Sequence, residues 1–352
     1  MGKIKILNEE ITSKIAAGEV IERPYSVVKE MVENSIDAGS SHITIEIEKG
    51  GKKLIRVLDD GEGMTADDVK LAFERHATSK ISTVDDIFNI NTLGFRGEAL
   101  ASIASVSKVT LITMTQNDQI GTLCEIHGGN VIRFEEAAAQ KGCLIEVRDL
   151  FYNTPARYKF LNSDSRETSL IVDFISKIAV GNPKISFKLF IDGKELISTS
   201  GNGNVREVIA RIYGSDMAKK AIELENQFNC GKIKGIISTP QFSRGNRNGE
   251  IFFVNHRLIR NKELSFSVER SYKTLIPMGR FPFCVIFIEI KPSEIDVNIH
   301  PSKTQIKFRN LNEVEYIIYN AITNALKQTV LIPEEKLDMA GINKKKDTIF
   351  TS

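Results

Sequence analysis

Apolar and polar residues change their period several times along the chain, and each change marks an element. Over 14–39 the apolar positions recur every three to four residues, which predicts helix, interrupted near Pro24. HITIEIEK (42–49) alternates with period two and predicts a strand, and Gly50-Gly51 turns it into a second strand at 53–58. Helix is expected over about 66–76. Residues 77–97 carry Thr, Ser, Asn and Gly with little period and read as a long loop. A loop beyond ~12–15 residues in a compact domain is usually functional or disordered. Helix resumes near 97–104, and strands follow near 106–115, 120–127, 131–134 and 143–148. A helix over 164–181 then precedes strands at 185–191 and 194–199 around Asp192-Gly193. This mixes helices with a mostly antiparallel sheet.

GNGN (201–204) reads as a boundary region. After it the pattern predicts helix 205–213, strands near 220–226, 231–238 and 249–255, helix 262–275, strands 283–290 and 304–308, and helix 312–331. The last stretch, 332–352, is polar and lysine-rich without period, and a flexible tail is expected there.

Length supports this division: 352 residues correspond to about two domains at ~150 residues each. With 41% hydrophobic and 26% charged residues the composition is that of an ordinary globular chain, not a collagen, a mucin or a disordered protein. No apolar run approaches the ~18–20 residues that span a bilayer. MGKIKILNEE lacks the apolar core of a secretory signal, so a cytoplasmic location is expected. Cysteines 124, 143, 230 and 284 form no CxxC pair and are expected to be reduced core residues. A net charge of +2 means that any basic surface must be local.

Candidate chemistry begins in the first helix, at VVKEMVENSID (27–37). At 100° per residue, Val27, Val28, Met31, Val32 and Ile36 share one half of the wheel. Glu30, Asn34 and Asp37 fall within roughly 60° of each other on the other half, with Glu33 beside them. This is either a solvated face or a carboxylate and an amide one turn apart, facing a pocket. The second arrangement suits a general base and a neutral oxygen ligand for magnesium. DDGEGM (59–64), directly after a strand, is either a turn or a place where Gly61 and Gly63 let backbone approach a flat ligand while Asp59 accepts from an amine. HATSK (76–80) and LGFRGEAL (93–100) lie in the long loop and just before a helix. Glycines ahead of a helix expose backbone N–H groups, and Lys80 and Arg96 add positive charge, a combination suited to phosphate. Neither GxxxxGK[ST] nor GxGxxG occurs, so a nucleotide would be held by other means. Residues 241–280 hold eight Lys/Arg against three acids, a +5 segment that is either a solvated face or a surface for nucleic-acid backbone.

Together these residues resemble a known family. Glu30-x-x-x-Asn34, Asp59-x-Gly61-x-Gly63 and the loop 94–97 look like the three motifs of the Bergerat-fold (GHKL) ATPases. Longer strings resemble the MutL mismatch-repair group within it: IAAGEVIERPYSVVKEMVENSIDAG (15–39), RHATSKI (75–81), GFRGEALASI (94–103), DLFYNTPARYKF (149–160) and IDVNIHPSKTQIKF (295–308). The likeness runs from about residue 5 to 331.

The resemblance implies an α/β sandwich of the Bergerat type over 1–200, then a smaller α/β domain like ribosomal protein S5 domain 2 over 205–331. It implies ATP and Mg2+ as cofactors. Glu30 would be the general base and Asn34 the magnesium ligand. Asp59 would read adenine, with Gly61 and Gly63 beneath the base. Thr78, Ser79 and Lys80 would belong to a mobile lid. Leu93, Gly94, Phe95, Arg96 and Gly97 would wrap the phosphates, and Lys303 would reach the γ-phosphate from the second domain. Gly142-Cys143 stands where the family usually has Gly-Thr, and a thiol is the weaker hydrogen-bond donor. VNHRLIR (254–260) resembles a strand whose arginines line a DNA groove, which implicates Arg257 and Arg260, then Arg244 and Arg247. The implied partners are DNA, bound largely without regard to sequence, a mismatch-recognition protein, and a second copy of the chain on ATP binding, all in the bacterial cytosol or nucleoid. Family members usually continue into a C-terminal dimerisation domain, in some with a metal-dependent nicking motif. That motif does not occur in this chain, so no endonuclease activity is expected of it. A topoisomerase ATPase subunit, a nucleotide-gated scaffold without turnover and a histidine kinase are the alternatives.

Overall fold

In the computed structural model, residues 20–80, 92–94, 97–296 and 306–330 are described. The expected tail 332–352, the beginning of the first helix, residues 81–91 of the long loop and positions 304–305 of the last strand lie outside them.

An eight-stranded sheet forms the larger part. Its strands are β1 (His42–Glu48), β2 (Leu54–Asp59), β3 (Lys108–Met114), β4 (Gly121–His127), β5 (Asn130–Ala137), β6 (Gly142–Arg148), β7 (Ser186–Ile191) and β8 (Lys194–Ser198), in the order β5-β4-β3-β6-β2-β1-β7-β8. All neighbours run antiparallel except β1 and β7. The period-two alternation of β1 puts Ile43, Ile45 and Ile47 into the core, and register aligns Ile45 with Val57 and Val57 with Ile145 on the same face. On the opposite face Glu46, Arg56 and Glu146 align across the same three strands, and Arg56 bonds both carboxylates. One residue of slip would exchange these two rows, so the ladder and the apolar row fix one register.

Helices cover the apolar face. The first, α1 (Pro24–Asp37), starts with proline at its first position, where no intrahelical donor is needed. It buries Val27, Val28, Met31 and Val32. Helices α2 (Ala66–Ala72), α3 (Ala99–Ser105), the short α4 (Pro155–Lys159) and α5 (Asp164–Gly181) follow. Tyr25 of α1 meets Phe174 of α5 edge-on at 5.4 Å. Helix α2 is shorter than the pattern predicts, because the chain leaves helical hydrogen bonding at Phe73.

After α6 (Val205–Tyr213) and α7 (Ser215–Lys219), a five-stranded sheet is built from β9 (Ile222–Phe228), β10 (Gly231–Ile237), β12 (Glu250–Val254), β13 (Arg257–Ile259) and β15 (Cys284–Ile290), ordered β13-β12-β15-β10-β9. β11 (Ser243–Arg244) and β14 (Phe281–Pro282) make a separate pair, as do β16 (Ile295–Asp296) and β17 (Lys307–Phe308). Helices α8 (Lys262–Ser271) and α9 (Leu311–Val330) complete this part. EIFFV, the whole of β12, is buried on both faces. Phe252 and Val254 enter a core with Leu264, Val268, Ile318 and Ile322, while Ile251 and Phe253 enter the core of the larger sheet. The contact there is tight: a Cβ at Gly181 of α5 would lie 2.2 Å from the Phe253 ring. The two sheets therefore share one continuous apolar join.

Glu250, at the start of β12, is 8% exposed, and neither of its carboxylate oxygens has a hydrogen bond of good geometry. Burial raises its pKa from 4.5 to about 7. The folded state thus holds this proton more tightly than the unfolded chain. The stabilisation is complete below about pH 4.5 and is lost as pH rises to about 7. Glu250→Gln removes that dependence. The variant gains roughly 2 kcal/mol relative to wild type between pH 5 and pH 8, as read by urea unfolding at the two pH values. An unchanged difference between the two proteins across that range would show that the carboxyl is ionised freely in the fold.

Candidate active site

The polar face of α1 is not solvated. Glu30, Asn34 and Asp37 line a cavity of about 1060 Å3, together with Asp59 at the end of β2, the 76–80 segment and Gly94. The wheel's choice between solvent and pocket is decided for the pocket.

Lys29 decides how Glu30 stands. Its ammonium is buried between Glu33 Oε2 at 2.8 Å and Glu30 Oε1 at 3.2 Å. Burial by itself would lower the lysine's pKa, but the Glu33 and Glu30 carboxylates outweigh it, and the pKa lies above its ordinary value. Lys29 is therefore a permanent charge that fixes Glu30 at the cavity wall. One turn on, Asn34 Oδ1 accepts from the Lys80 ammonium at 2.9 Å, and the same ammonium reaches Asp37 Oδ2 at 2.6 Å. Asp37 also accepts from the backbone N–H groups of Leu93 (2.9 Å) and Gly94 (3.0 Å). Its carboxylate occupies the anion position of that loop, and Lys80 occupies the cation position beside Asn34.

Asp59 lies 7% exposed at the floor. It accepts from the Ser35 hydroxyl at 2.6 Å and from the Gly61 N–H at 3.0 Å. Burial raises its pKa, and those donors moderate the rise. Gly63 and Gly142 are glycines for a reason the sequence does not disclose. Both have positive φ, and a Cβ would lie 2.3 Å from the Met114 carbonyl at 63 and 2.1 Å from the Asp59 carbonyl at 142. Close backbone packing therefore accounts for both. Gly94 differs: a Cβ there would face Lys80 Nζ and Asn34 Oδ1, inside the polar cavity. Cys143 lines the cavity next to Asp59, and burial raises its pKa so that it stays a thiol. The hydroxyl that organises this corner belongs instead to Thr113, which donates to Gly142 O at 2.8 Å and accepts from Met64 N at 3.0 Å.

Thr78, Ser79, Lys80 and Gly97 line the cavity, while Leu93 and Gly94 contribute the amides named above. Phe95, Arg96 and Lys303 lie outside the described residues. Of the four arginines implicated in DNA binding, Arg260 and Arg247 are exposed, and Arg247 is paired with Glu269 at 3.1 Å. Arg244 is partly buried, its guanidinium over Tyr213 at 5.0 Å and Phe283 at 5.4 Å. Arg257 is 6% exposed and donates to the Thr92 carbonyl, so its side chain is turned inward. Sequence reasoning passed over Lys29, Thr113 and Thr92, and it noted Asp37 without a role. The Lys29–Glu33 spacing of four was a readable signal. Thr113, in mid-strand, offered none.

Two family profiles match the chain. One, described as histidine kinase-, DNA gyrase B-, and HSP90-like ATPase, covers residues 22–141 and so contains α1, Asp59 and the 92–97 loop. The other, described as DNA mismatch repair protein, C-terminal domain, covers 209–327. The DNA mismatch repair protein MutL of Clostridium botulinum (strain Eklund 17B / Type B) is 49% identical over 339 residues, which is 95% of this chain and 50% of the relative. The chain belongs to the MutL family of DNA mismatch repair proteins. MutL of Caldanaerobacter subterraneus subsp. tengcongensis is 47% identical, over 96% of this chain and 57% of its own length. The chain thus spans about half the length of the curated relatives it matches. Among solved structures, the N-terminal domain of a DNA repair protein superposes with TM-score 0.77 at 27% identity, covering 91% of this chain and 99% of that one. The Aquifex aeolicus MutL ATPase domain complexed with ADP superposes with TM-score 0.60 at 28% identity, covering 85% and 98%. The fold is therefore that of the GHKL ATPases in its MutL form. The topoisomerase subunit and the scaffold without turnover find no support in these matches. Among the described residues no helix is long and apolar enough to cross a membrane.

Lys29→Met leaves two buried carboxylates without their shared cation. Removing one partner of a buried ion pair costs about 3–5 kcal/mol, so the variant's unfolding midpoint in urea falls steeply at neutral pH. A loss below ~1 kcal/mol would mean that solvent already screens this cluster.

Proposed function

We propose that this chain is the ATP-hydrolysing and DNA-engaging part of a MutL-type mismatch repair protein, with Mg-ATP held in the cavity beside α1. The observation that carries the reading is the pinned carboxylate: Glu30 at the cavity wall, one turn from the Asn34 amide oxygen. Glu30 takes the proton of the attacking water. Asp59, buried at the floor, accepts from the exocyclic amine of adenine. The Leu93 and Gly94 amides, released by Asp37, turn to phosphate oxygens, with Lys80 as counter-charge. Lys303, Phe95 and Arg96 stay in the proposal on the family pattern alone.

The donor set fits magnesium. Among the described residues no group of three or more His, Cys, Asp or Glu forms a metal cage. Magnesium does not need one, because it is usually held by one or two protein oxygens with phosphates and waters completing its shell. The position beside Asn34 Oδ1 already carries a cation, the Lys80 ammonium. When bound, magnesium neutralises charge on the phosphates. ATP binding engages the 76–80 and 92–94 segments and favours a dimer, and a mismatch-recognition protein and DNA are the partners.

Two experiments test this reading. Glu30→Ala retains nucleotide affinity within a few-fold and loses ~10²–10⁴-fold in hydrolysis. Turnover near that of wild type would remove Glu30 from the base position.

The second experiment concerns DNA. Of the four arginines implicated in DNA binding, Arg247 and Arg260 are the exposed ones. Arg247→Gln combined with Arg260→Glu weakens duplex binding and flattens the log–log salt dependence by about one to two units, since each phosphate contact contributes a slope near −0.9. Wild-type affinity and slope in the double variant would leave these arginines as a solvated face.

A further inference from the structure

Arg257 stands apart from the other basic residues of its segment. β13 is three residues long and returns from β12 through Asn255-His256, both with positive φ, the geometry of a two-residue hairpin turn. Alternation along β13 sends Arg257 and Ile259 inward, and Arg260, just beyond the strand, outward. The Arg257 guanidinium crosses from the smaller sheet to the Thr92 carbonyl, within the electrostatic reach of Glu33 and Asp37 on α1. Thr92 in turn donates through its hydroxyl to the Gly94 carbonyl at 2.8 Å. The segment 92–94 is thereby held from two sides. Asp37 takes its amides from the larger sheet's side, and Arg257 takes a carbonyl from the smaller sheet's side.

We infer that Arg257 is a positioning residue for nucleotide binding, and that β13 couples the nucleotide loop 92–94 to the DNA face at Arg260. This rests on the nucleotide and DNA reading above. The physical content is simple. A three-residue strand carries an inward guanidinium on the loop and an exposed guanidinium three residues later. A phosphate that fixes Arg260 fixes β13 and with it the Thr92 carbonyl. The Leu93 and Gly94 amides then present themselves to phosphate at lower ordering cost. Coupling of this kind is reciprocal: DNA raises nucleotide affinity by the same factor by which nucleotide raises DNA affinity.

Three measurements on Arg257→Gln and Arg257→Lys, each in the full chain, test this. First, without any ligand, hydrogen exchange at the Leu93 and Gly94 amides accelerates in Arg257→Gln, while amides in the middle of α1 keep their protection. Second, the KM for Mg-ATP rises about tenfold in Arg257→Gln with kcat changed less, and Arg257→Lys recovers part of the loss, because an ammonium can still donate to one carbonyl. Third, duplex DNA affinity and its salt slope, measured without nucleotide, stay at wild-type values in Arg257→Gln, but the factor by which DNA tightens Mg-ATP binding falls to one. Weaker DNA binding with a flatter slope and an unchanged KM would overturn the inference and make Arg257 a DNA contact. Unchanged exchange at 93–94 would overturn it as well. Should Arg257→Gln lose exchange protection throughout, Arg257→Lys carries the test, since an unchanged KM and coupling factor there would mean that the fork geometry is not used. A wild-type chain that binds no DNA would sink the DNA reading and the coupling, yet leave the exchange experiment to decide the positional role.

Discussion

Helix α1 carries three carboxylates on one side, Glu30 and Asp37 at the cavity and Glu33 buried beside it, and withdrawing them from water is the constraint the rest of the site satisfies. Ionised carboxylates at this spacing, withdrawn from water, disfavour each other unless cations come with them. Three cations do. Lys29 comes from α1 itself, Lys80 from the segment after α2, and Arg257 from the second sheet. Because the cations come from three places, charge balance on a single helix ties the 76–80 segment, the 92–94 segment and the smaller sheet together.

The ion pairs also give nucleotide something to displace. Without ligand, Asp37 already fills the two amides a phosphate would take, and Lys80 already stands on the Asn34 oxygen. A ligand changes the state of this site only by what it gains beyond those contacts. On the proposed reading, a phosphate with its metal would bring more charge and more oxygens than one carboxylate and one ammonium, and would take both positions at once. A ligand lacking either would compete poorly. The reorganisation then falls on the segments these pairs hold, 76–80 and 92–94, and leaves the sheet untouched.

The fold was legible where the period was strong. HITIEIE, the strand around 143–148, and the helices at 164–181 and 205–213 are where alternation or helical spacing places them. Three features escaped. β13 is too short for a period, and its Asn-His turn lacks the Asn-Gly signal of such hairpins. β12 is buried on both faces, so its run of apolar residues said that it is buried but not between what. The direction of Arg257 depends on that hairpin, and the likeness of VNHRLIR to a groove-lining strand grouped it with Arg260. In the site, Glu30, Asn34 and Asp59 were readable because helix geometry and a strand end place them. Thr92 and Thr113 act on residues far along the chain, which single-segment patterns do not reveal, whereas Lys29 acts within its own helix at a spacing that was readable.

The join between the sheets limits what can move. At Gly181 and Phe253 the backbone of α5 and a buried ring meet with no room for a methyl group, and Phe253 stacks on Phe287 at 5.2 Å. Packing of that density is repacked only at considerable cost, so a large sliding of one sheet over the other is not the natural response to a ligand. The polar contacts between the two parts are different. The Arg257–Thr92 bond and the 3.9 Å approach of Arg260 to Asp173 of α5 are single polar contacts, looser constraints than that packing. The apolar join thus acts as a pivot and the arginines as its movable edge. That division assigns rigidity to Phe253, β12 and α5 and responsiveness to β13 and the 92–94 segment, although β12 and β13 are adjacent strands of one sheet.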